Sequence, residues 1–399
     1  MFVAVLLLSS LIDLPADLRA GPVSIGAILT VGYALTAWLL WIRSPSLGRK
    51  ALGPVLWFGL FVLWGLSTLW WHDPGTEGAQ NLTVFVAVFG LLLYSAREFA
   101  RLGPRPVFEL ALPAAVWIGT AFFFITAMGT PIGVGYRAYA LFVLLGVAWY
   151  LAEWQTGRRG ALKWALLLTA IIGLSLSRTA MVTALLLIPV AQYRPQSWRR
   201  LAGAIAWTIV AGVVLFAAIS YITPLRDRFF AGDPSLRVGG VAINAMGRVL
   251  FWQTTLQSFA ESPIVGKGAG AVQAVIEDKL PGMGHPHNDY LRILHDYGLI
   301  GFGLWALAGW LIVRTVWKAW VAEHRRGDHA SARIHLAAFL ATTTVICGMA
   351  TDNTIVYIWV MAPWSLLVGA SLGLSSRKPV ESASTSRSYA LAAPEGTPH

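Results

Sequence analysis

Apolar residues fill this chain in long unbroken runs, and polar residues are confined to the stretches between them. A helix needs about 20 predominantly apolar residues to cross a bilayer. Runs of that kind stand at 1–12 (short), 22–42, 52–71, 81–96, 106–128, 138–152, 161–177, 178–192, 201–223, 298–317, 335–351 and 355–374. Apolar positions within each run are continuous rather than alternating, which predicts spanning helices and not the strands of a membrane barrel. The division inside 161–192 rests on one break, "SLSRTA", because an undivided helix there would overrun the hydrocarbon thickness. The opening "MFVAVLLLSSLIDLP" lacks a basic n-region and reads as a short first helix rather than a cleaved secretory segment. The expected fold class is therefore an all-α integral membrane protein with about 12 transmembrane helices.

One interruption, 224–297, is far longer than the others, and a long connection inside a compact protein is usually functional. Its "NAMGRVLFWQTTLQSFAES", 244–262, carries apolar residues at 249, 252, 256 and 259, a helical spacing that ends at Ser262-Pro263. "PIVGKGAGAV" follows as a glycine-rich bend, and "AVQAVIEDKL" as a second short helix closed by "PGMGHP". "HNDYLRILHDYG" then begins another helix. Asn288 or His287 suits its N-cap, Asp289 in the first turn suits the helix dipole, and Tyr290, Leu291, Leu294 and Tyr297 supply its buried side. The expected organisation is thus transmembrane helices over 1–223, a partly helical loop over 224–297, further transmembrane helices over 298–374, and a disordered tail over 375–399 rich in Ser, Ala and Pro.

Only 12% of residues are charged and 56% are hydrophobic, about half the charged fraction of a soluble domain. The net charge of +11 invites a nucleic-acid reading, which the positions of the charges remove. Twenty of the thirty basic residues fall in alternate loops and the tail: Arg43, Arg49 and Lys50; Arg97, Arg101 and Arg105; Arg158, Arg159 and Lys163; Arg194, Arg199 and Arg200; Arg314 through Arg333; and Arg377, Lys378 and Arg387. The excess of Lys and Arg in cytoplasmic loops places both termini in the cytoplasm and the 224–297 loop on the outer face. Arg137 and Arg178 share that outer side, and no nucleic-acid partner is needed to account for the charge. Cys347, the single cysteine, lies in an apolar run and forms no intramolecular disulfide.

Candidate chemistry gathers at the end of the outer loop. His287 at a helix N-terminus faces the positive end of the dipole, which keeps the imidazole neutral and able to accept a proton. His295 stands about 12 Å further along the same helix, so one small acceptor group cannot meet both. His285, His287, Asp289 and His295 do not form a zinc pattern, since H-x-H across a proline is not HExxH and no further ligands cluster nearby. The glycine bend lacks the terminal GK[ST] of a phosphate-binding loop. Arg178, at the tip of a tight helical hairpin, either snorkels to the interface or faces a protein cavity. Arg248, in "GRVLFW" at the start of a helix, stands either on a solvated face or at the site. Arginine suits bidentate binding of phosphate or pyrophosphate. A coupled transporter or flippase needs ionisable groups near the bilayer midplane, and the spans carry theirs at the ends.

"HNDYLRILHDYGLIG" contains His287-Asn288, nine residues, Gly298, two residues and Gly301, and this resembles the H-N-x9-G-x-x-G pattern of the bacterial O-antigen ligases. "SRTA" at 177–180 and "GRVLFW" at 247–252 are similar to that family's hairpin arginine and "GR…W" helix, and "SPIVGKGAGAV" to its glycine stretch. The resemblance runs in order over 130–370. It implies a GT-C-type glycosyltransferase of the inner membrane with a periplasmic active site. The enzyme would move O-antigen polysaccharide from undecaprenyl pyrophosphate to lipid A–core in lipopolysaccharide biosynthesis, inverting the anomeric centre and using no metal, nucleotide or other cofactor. Carried over by position, His287 acts on the acceptor hydroxyl as general base or orients it, and Arg178 and Arg248 hold the pyrophosphate and stabilise its departing charge. Arg137 is a further donor contact, Asn288 a substrate contact, and His285 matches nothing in the pattern. A repeat-unit polymerase or a protein O-oligosaccharyltransferase using the same lipid-linked donor is the alternative.

Overall fold

A computed structural model of the chain describes residues 1–377 except 12–18, 21–22, 44, 130–134, 193–197, 232–235, 239–240, 244–246 and 283. The tail expected to be disordered lies outside the described residues from 378 onward. The first half builds α1 (Phe2–Ser9), α2 (Ile25–Ile42), α3 (Arg49–Ser67), α4 (Gly75–Leu102), α5 (Val107–Ala127), α6 (Tyr136–Gln155), α7 (Ala161–Leu174), α8 (Arg178–Gln192) and α9 (Trp198–Tyr221). Then come α10 (Thr223–Phe230), α11 (Arg248–Phe259), α12 (Ala271–Lys279), α13 (Asp289–Arg326), α14 (His329–Met349) and α15 (Ile358–Ser375). Among the described residues the strands form two antiparallel ribbons, β1 (Arg19–Ala20) with β2 (Val23–Ser24) and β3 (Leu236–Val238) with β4 (Val241–Ile243). The protein is an all-α membrane protein.

Each apolar run of the sequence falls on a helix. Among the described residues eight helices are long and apolar enough to span, and α7, α8 and the Ile205–Tyr221 part of α9 are shorter apolar helices. The break expected at "SLSRTA" is present: α7 ends at Leu174, Leu176 adopts a left-handed φ of 54°, and α8 begins at Arg178. Helices α6 and α15 are buried along nearly their whole length. Helix α15 approaches α4 closely through small residues, because a Cβ on Gly373 would stand 2.2 Å from the Ala96 carbonyl oxygen. By contrast α2 and α9 expose rows of large apolar side chains, among them Leu35, Leu39, Val213 and Phe216, the surface that acyl chains cover.

The two ends of the bundle differ. At one end Gly48 packs on Ser376, Gly103 packs on Arg377, and Arg333 bonds both Glu109 and Thr156. Four of the basic loops and the start of the tail therefore share that end. At the other end the α3–α4 connection meets the outer segment, where Thr68 Oγ1 accepts from the Ala269 amide and His72 lies against Gly268. These basic loops thus gather at one end, away from the α3–α4 connection.

Candidate functional site

The site is organised by a break in α13. Gly298 has φ 67° and ψ −172°, a region open essentially to glycine alone, and it divides an arm over 289–297 from the apolar helix beyond it. A broken helix leaves amides and carbonyls without partners, and in an apolar setting each must be satisfied. The segment from Pro263 to Gly268 does this. Leu299 and Ile300 donate to the carbonyls of Pro263 and Ile264, and Lys267 and Gly268 donate to those of His295 and Asp296. The remaining carbonyl, of Tyr297, accepts from Trp64 Nε1 at 2.8 Å. The stretch that reads as a simple bend in sequence is therefore the brace that holds the arm at its angle.

The arm fixes the elements around it. Asn288 is its N-cap and accepts from the Leu291 amide at 3.1 Å, so its side-chain oxygen is committed to starting the helix. Asp289, fully buried, accepts from the Ile355 amide at 2.9 Å and ties the arm to the turn between α14 and α15. His295 is fully buried and doubly satisfied, with Nδ1 2.9 Å from Asp296 Oδ1 and Nε2 3.0 Å from Ser258 Oγ. Asp296 in turn accepts from the amides of Gly270 and Val272 at the start of α12. These two residues are structural.

Burial on the arm differs from the expected face. On the arm Asp289, Arg292, Ile293, His295, Asp296 and Tyr297 are buried, whereas Tyr290, Leu291 and Leu294 are only partly covered. On α11 the buried side is Phe251, Thr254, Thr255 and Ser258, and Leu256 is exposed. An apolar stripe assumes an apolar partner. Here α11 packs on the polar arm, so hydroxyls face inward to meet His295.

His287 stands just before the cap with a left-handed φ of 48°, an uncommon conformation for a side chain-bearing residue. Burial first, then the positive charges of Arg248, His285, Arg137 and Arg292, push its imidazole down to about 3. The ring is neutral, as its place before a helix suggests, but burial and arginine charge do most of the work. Its Nδ1 lies 3.4 Å from Asn353 Nδ2. Trp252 Nε1 donates to the Pro286 carbonyl at 3.0 Å, which ties the histidine loop to the helix that begins with Arg248.

Of the arginines expected at the site, Arg248 and Arg137 are brought within electrostatic reach of His287. Arg178 begins α8, lies 5.8 Å from the Phe229 ring of α10, and is followed by Thr179, whose hydroxyl bonds Thr351 in the turn that also carries Asn353. Three groups escaped the sequence reading. Glu77 in the first turn of α4 stands 3.1 Å from His285 Nδ1. Arg292, 2% exposed, has its Nη2 3.4 Å from that same nitrogen and its Nε 3.7 Å from Asp289. Asn353 is the third, and with Asp289 and Arg292 it carries buried polar atoms that lack a protein hydrogen-bond partner. A carboxylate in an outer loop next to a spanning helix was the only signal for Glu77; nothing local marks Asn353.

Two cavities lie here, with Tyr357 on the lining of both. One, about 620 Å³, has mainly apolar residues of α2 on one side and a mixed face of α4 with Glu77, Gln80, Asn81 and Thr83 on the other, and carries His285, His287, Asn353 and Tyr357 on its lining. The other, about 500 Å³, is lined by Tyr136, Arg137, Ser175, Leu176 and again Tyr357. Among the described residues no three His, Cys, Asp or Glu side chains converge as a metal site.

The chain is thus a multi-pass helical membrane protein whose larger cavity presents His285, His287 and Glu77 beside apolar residues. Residues 164–306 match the family described as O-antigen ligase. Members of this family are glycosyltransferase-like enzymes acting on lipid-linked sugars. The match runs from α7 into α13 and includes Arg178, Arg248, His287, Asn288, Gly298 and Gly301; Arg137, Glu77 and Asn353 lie outside it. No curated protein matches the chain.

Proposed function

We propose that the protein is an O-antigen ligase, which transfers polysaccharide from undecaprenyl pyrophosphate to lipid A–core at the periplasmic face of the inner membrane. The observation that carries this reading is a neutral imidazole, His287, held under the charge of Arg248 and Arg137 on the lining of the larger cavity. A polyprenyl chain suits the apolar α2 side, and the arginines suit a pyrophosphate.

The donor is already activated, so the protein needs to supply position, proton removal and stabilisation of the leaving group. The acceptor hydroxyl oxygen attacks the anomeric carbon in line, the bond from that carbon to the phosphate oxygen breaks, and its electron pair leaves on the pyrophosphate. Attack from the opposite side inverts the centre. Arg248, Arg137 and Arg178 offset the charge that develops on the departing phosphate, an effect strongest where water is excluded. His287 engages the acceptor hydroxyl, and Asn288 sets the imidazole at the start of the arm while keeping its amide nitrogen for substrate. Both termini lie in the cytoplasm in this arrangement, as the basic loops require.

Expression in a bacterium that lacks its own ligase but assembles lipid-linked O-antigen tests the reading. Restoration of polysaccharide-capped lipopolysaccharide supports it. Accumulation of longer lipid-linked chains without capping marks a polymerase, and glycosylated protein marks an oligosaccharyltransferase.

A further inference from the structure

The two sides of the larger cavity differ in chemistry. Helix α2 meets it mainly with apolar side chains, whereas α4 lines it with Glu77, Gln80, Asn81 and Thr83. Glu77 and Asn81 are four residues apart, and Gln80 and Thr83 three, so each pair stands on one side of the helix. Thr83 donates its hydroxyl to the Ala79 carbonyl of its own helix. Asn81 is different. It is 6% exposed and makes no hydrogen bond among the described residues. A carboxamide inside a membrane helix commonly bonds a neighbouring helix, and one that bonds nothing costs free energy. Asn81 has lost most of its contact with water and gained no partner in the bundle. Its two donors and its acceptor are left to whatever occupies the cavity that it lines.

The lining sets the class of that occupant. Among the described residues no lysine or arginine is on it, and Glu77 places a carboxyl group there, so a phosphate is poorly matched to this side. Arg137 lines the smaller cavity instead, which shares Tyr357 with the larger one. A bare hydrocarbon chain would suit α2 but would leave Asn81 desolvated and unpaired. An uncharged group with hydroxyls on its rim and C–H faces between them satisfies both sides, and a sugar ring is such a group. Tyr357 and Trp359 add an aromatic surface: their rings stack with centroids 4.9 Å apart and 14° between planes, and both residues line the cavity. Asn81 stands about one turn, near 6 Å, along α4 from Glu77. Glu77 in turn lies beside His285, 3.1 Å from Oε1 to Nδ1. A ring held by Asn81 is therefore close to the histidine loop.

We propose that the α4 side of the larger cavity is a saccharide subsite, in which the Asn81 carboxamide, with Gln80 beside it, hydrogen-bonds the hydroxyls of a sugar ring. This rests on the transferase reading given above, which supplies two sources for the ring: the donor's sugar next to the pyrophosphate, or a core sugar of the acceptor. Asn81 is a binding residue with no part in bond making. Its loss weakens the hold on one substrate and leaves the chemistry of the bound complex intact.

Asn81→Leu keeps the shape of the side chain and removes its hydrogen bonds; Asn81→Ala serves if that variant does not fold. Calorimetry in detergent measures binding of lipid A–core alone and of lipid-linked polysaccharide alone, so that no turnover occurs. Asn81→Leu should bind one of the two about tenfold more weakly, as expected for one or two neutral hydrogen bonds, and the other within about twofold of wild type. The substrate affected identifies the source of the ring. In proteoliposomes KM for that substrate should rise by a similar factor, with kcat within about twofold. The melting temperature should hold or rise, because no partner in the bundle is lost. Both affinities within about twofold of wild type, binding of neither lipid by wild type, or a lowered melting temperature in Asn81→Leu overturns the subsite. Binding by wild type, weakened in Asn81→Leu, with no capped product defeats the transferase reading and leaves the subsite standing.

Discussion

Gly266 and Gly298 meet backbone to backbone at the break of α13: a Cβ on Gly266 would stand 2.4 Å from the Gly298 amide nitrogen, and one on Gly298 would stand 2.5 Å from that of Gly266. Both have left-handed φ. The contact couples a distant glycine bend to the angle at which the arm over 289–297 leaves the membrane helix.

Gly298→Ala should therefore cost stability twice, through the strained backbone, of order 1–3 kcal/mol, and through the clash with Ile264 and Gly266. A lowered Tm in detergent, with transfer lost even where folded protein is recovered, is the expected result. Unchanged melting would show that the break is not rigid.

Asp296 caps α12 and holds His295, so Asp296→Ala strands two amides and a ring nitrogen. Losing a buried partner costs about 1–3 kcal/mol. Ser258→Ala, which removes one contact, should cost less. Thermal unfolding of both variants in the same detergent ranks the two losses.

Protonation of His287 is disfavoured in the folded protein relative to an ordinary histidine near 6.5. The sign follows from linkage: between about pH 6.5 and 3 the unfolded chain binds the extra proton, so stability falls as pH drops through that window, by at most about 1.4 kcal/mol per unit. Burial is the main cause, and the neighbouring groups that add to it are Arg248, His285, Arg137 and Arg292. Melting curves from pH 7 to 4 should show a shallower decline for His287→Gln than for wild type. Parallel declines would mean that the ring is accessible to protons.

Much of this was legible in sequence because bilayer physics is severe. Twelve apolar runs became helices, and the Arg178 hairpin and the helix beginning at Arg248 stand where composition puts them. The inward side of α11 was not legible, since period alone does not reveal that its partner is the polar arm carrying His295. Glu77 and Asn353 were invisible because they reach the histidine loop from distant segments. Pairings between distant segments leave no mark in a single chain. The glycine bend showed its flexibility in sequence but not its job.

Arg178 has two readings that one pair of variants separates. If it serves the pyrophosphate, Arg178→Ala should reduce transfer by about 10²-fold or more, as expected for a lost charge-stabilising donor. If it only packs on Phe229, then Phe229→Leu should do equal harm. A ring–cation contact at a partly exposed position contributes about 0.5–1 kcal/mol, so Phe229→Leu alone should change the rate only a few-fold. Measured kcat for both variants distinguishes anion binding from packing.

The central claim is group transfer from a lipid-linked pyrophosphate donor to lipid A–core. The most direct measurement incubates the purified chain in proteoliposomes with both lipids and follows product by gel and mass spectrometry. The account predicts capped lipopolysaccharide and released undecaprenyl pyrophosphate in equal amounts, with the product lost in Arg248→Ala and His287→Ala. Lipid A–core left uncapped by wild-type protein, or full activity in both variants, would contradict it.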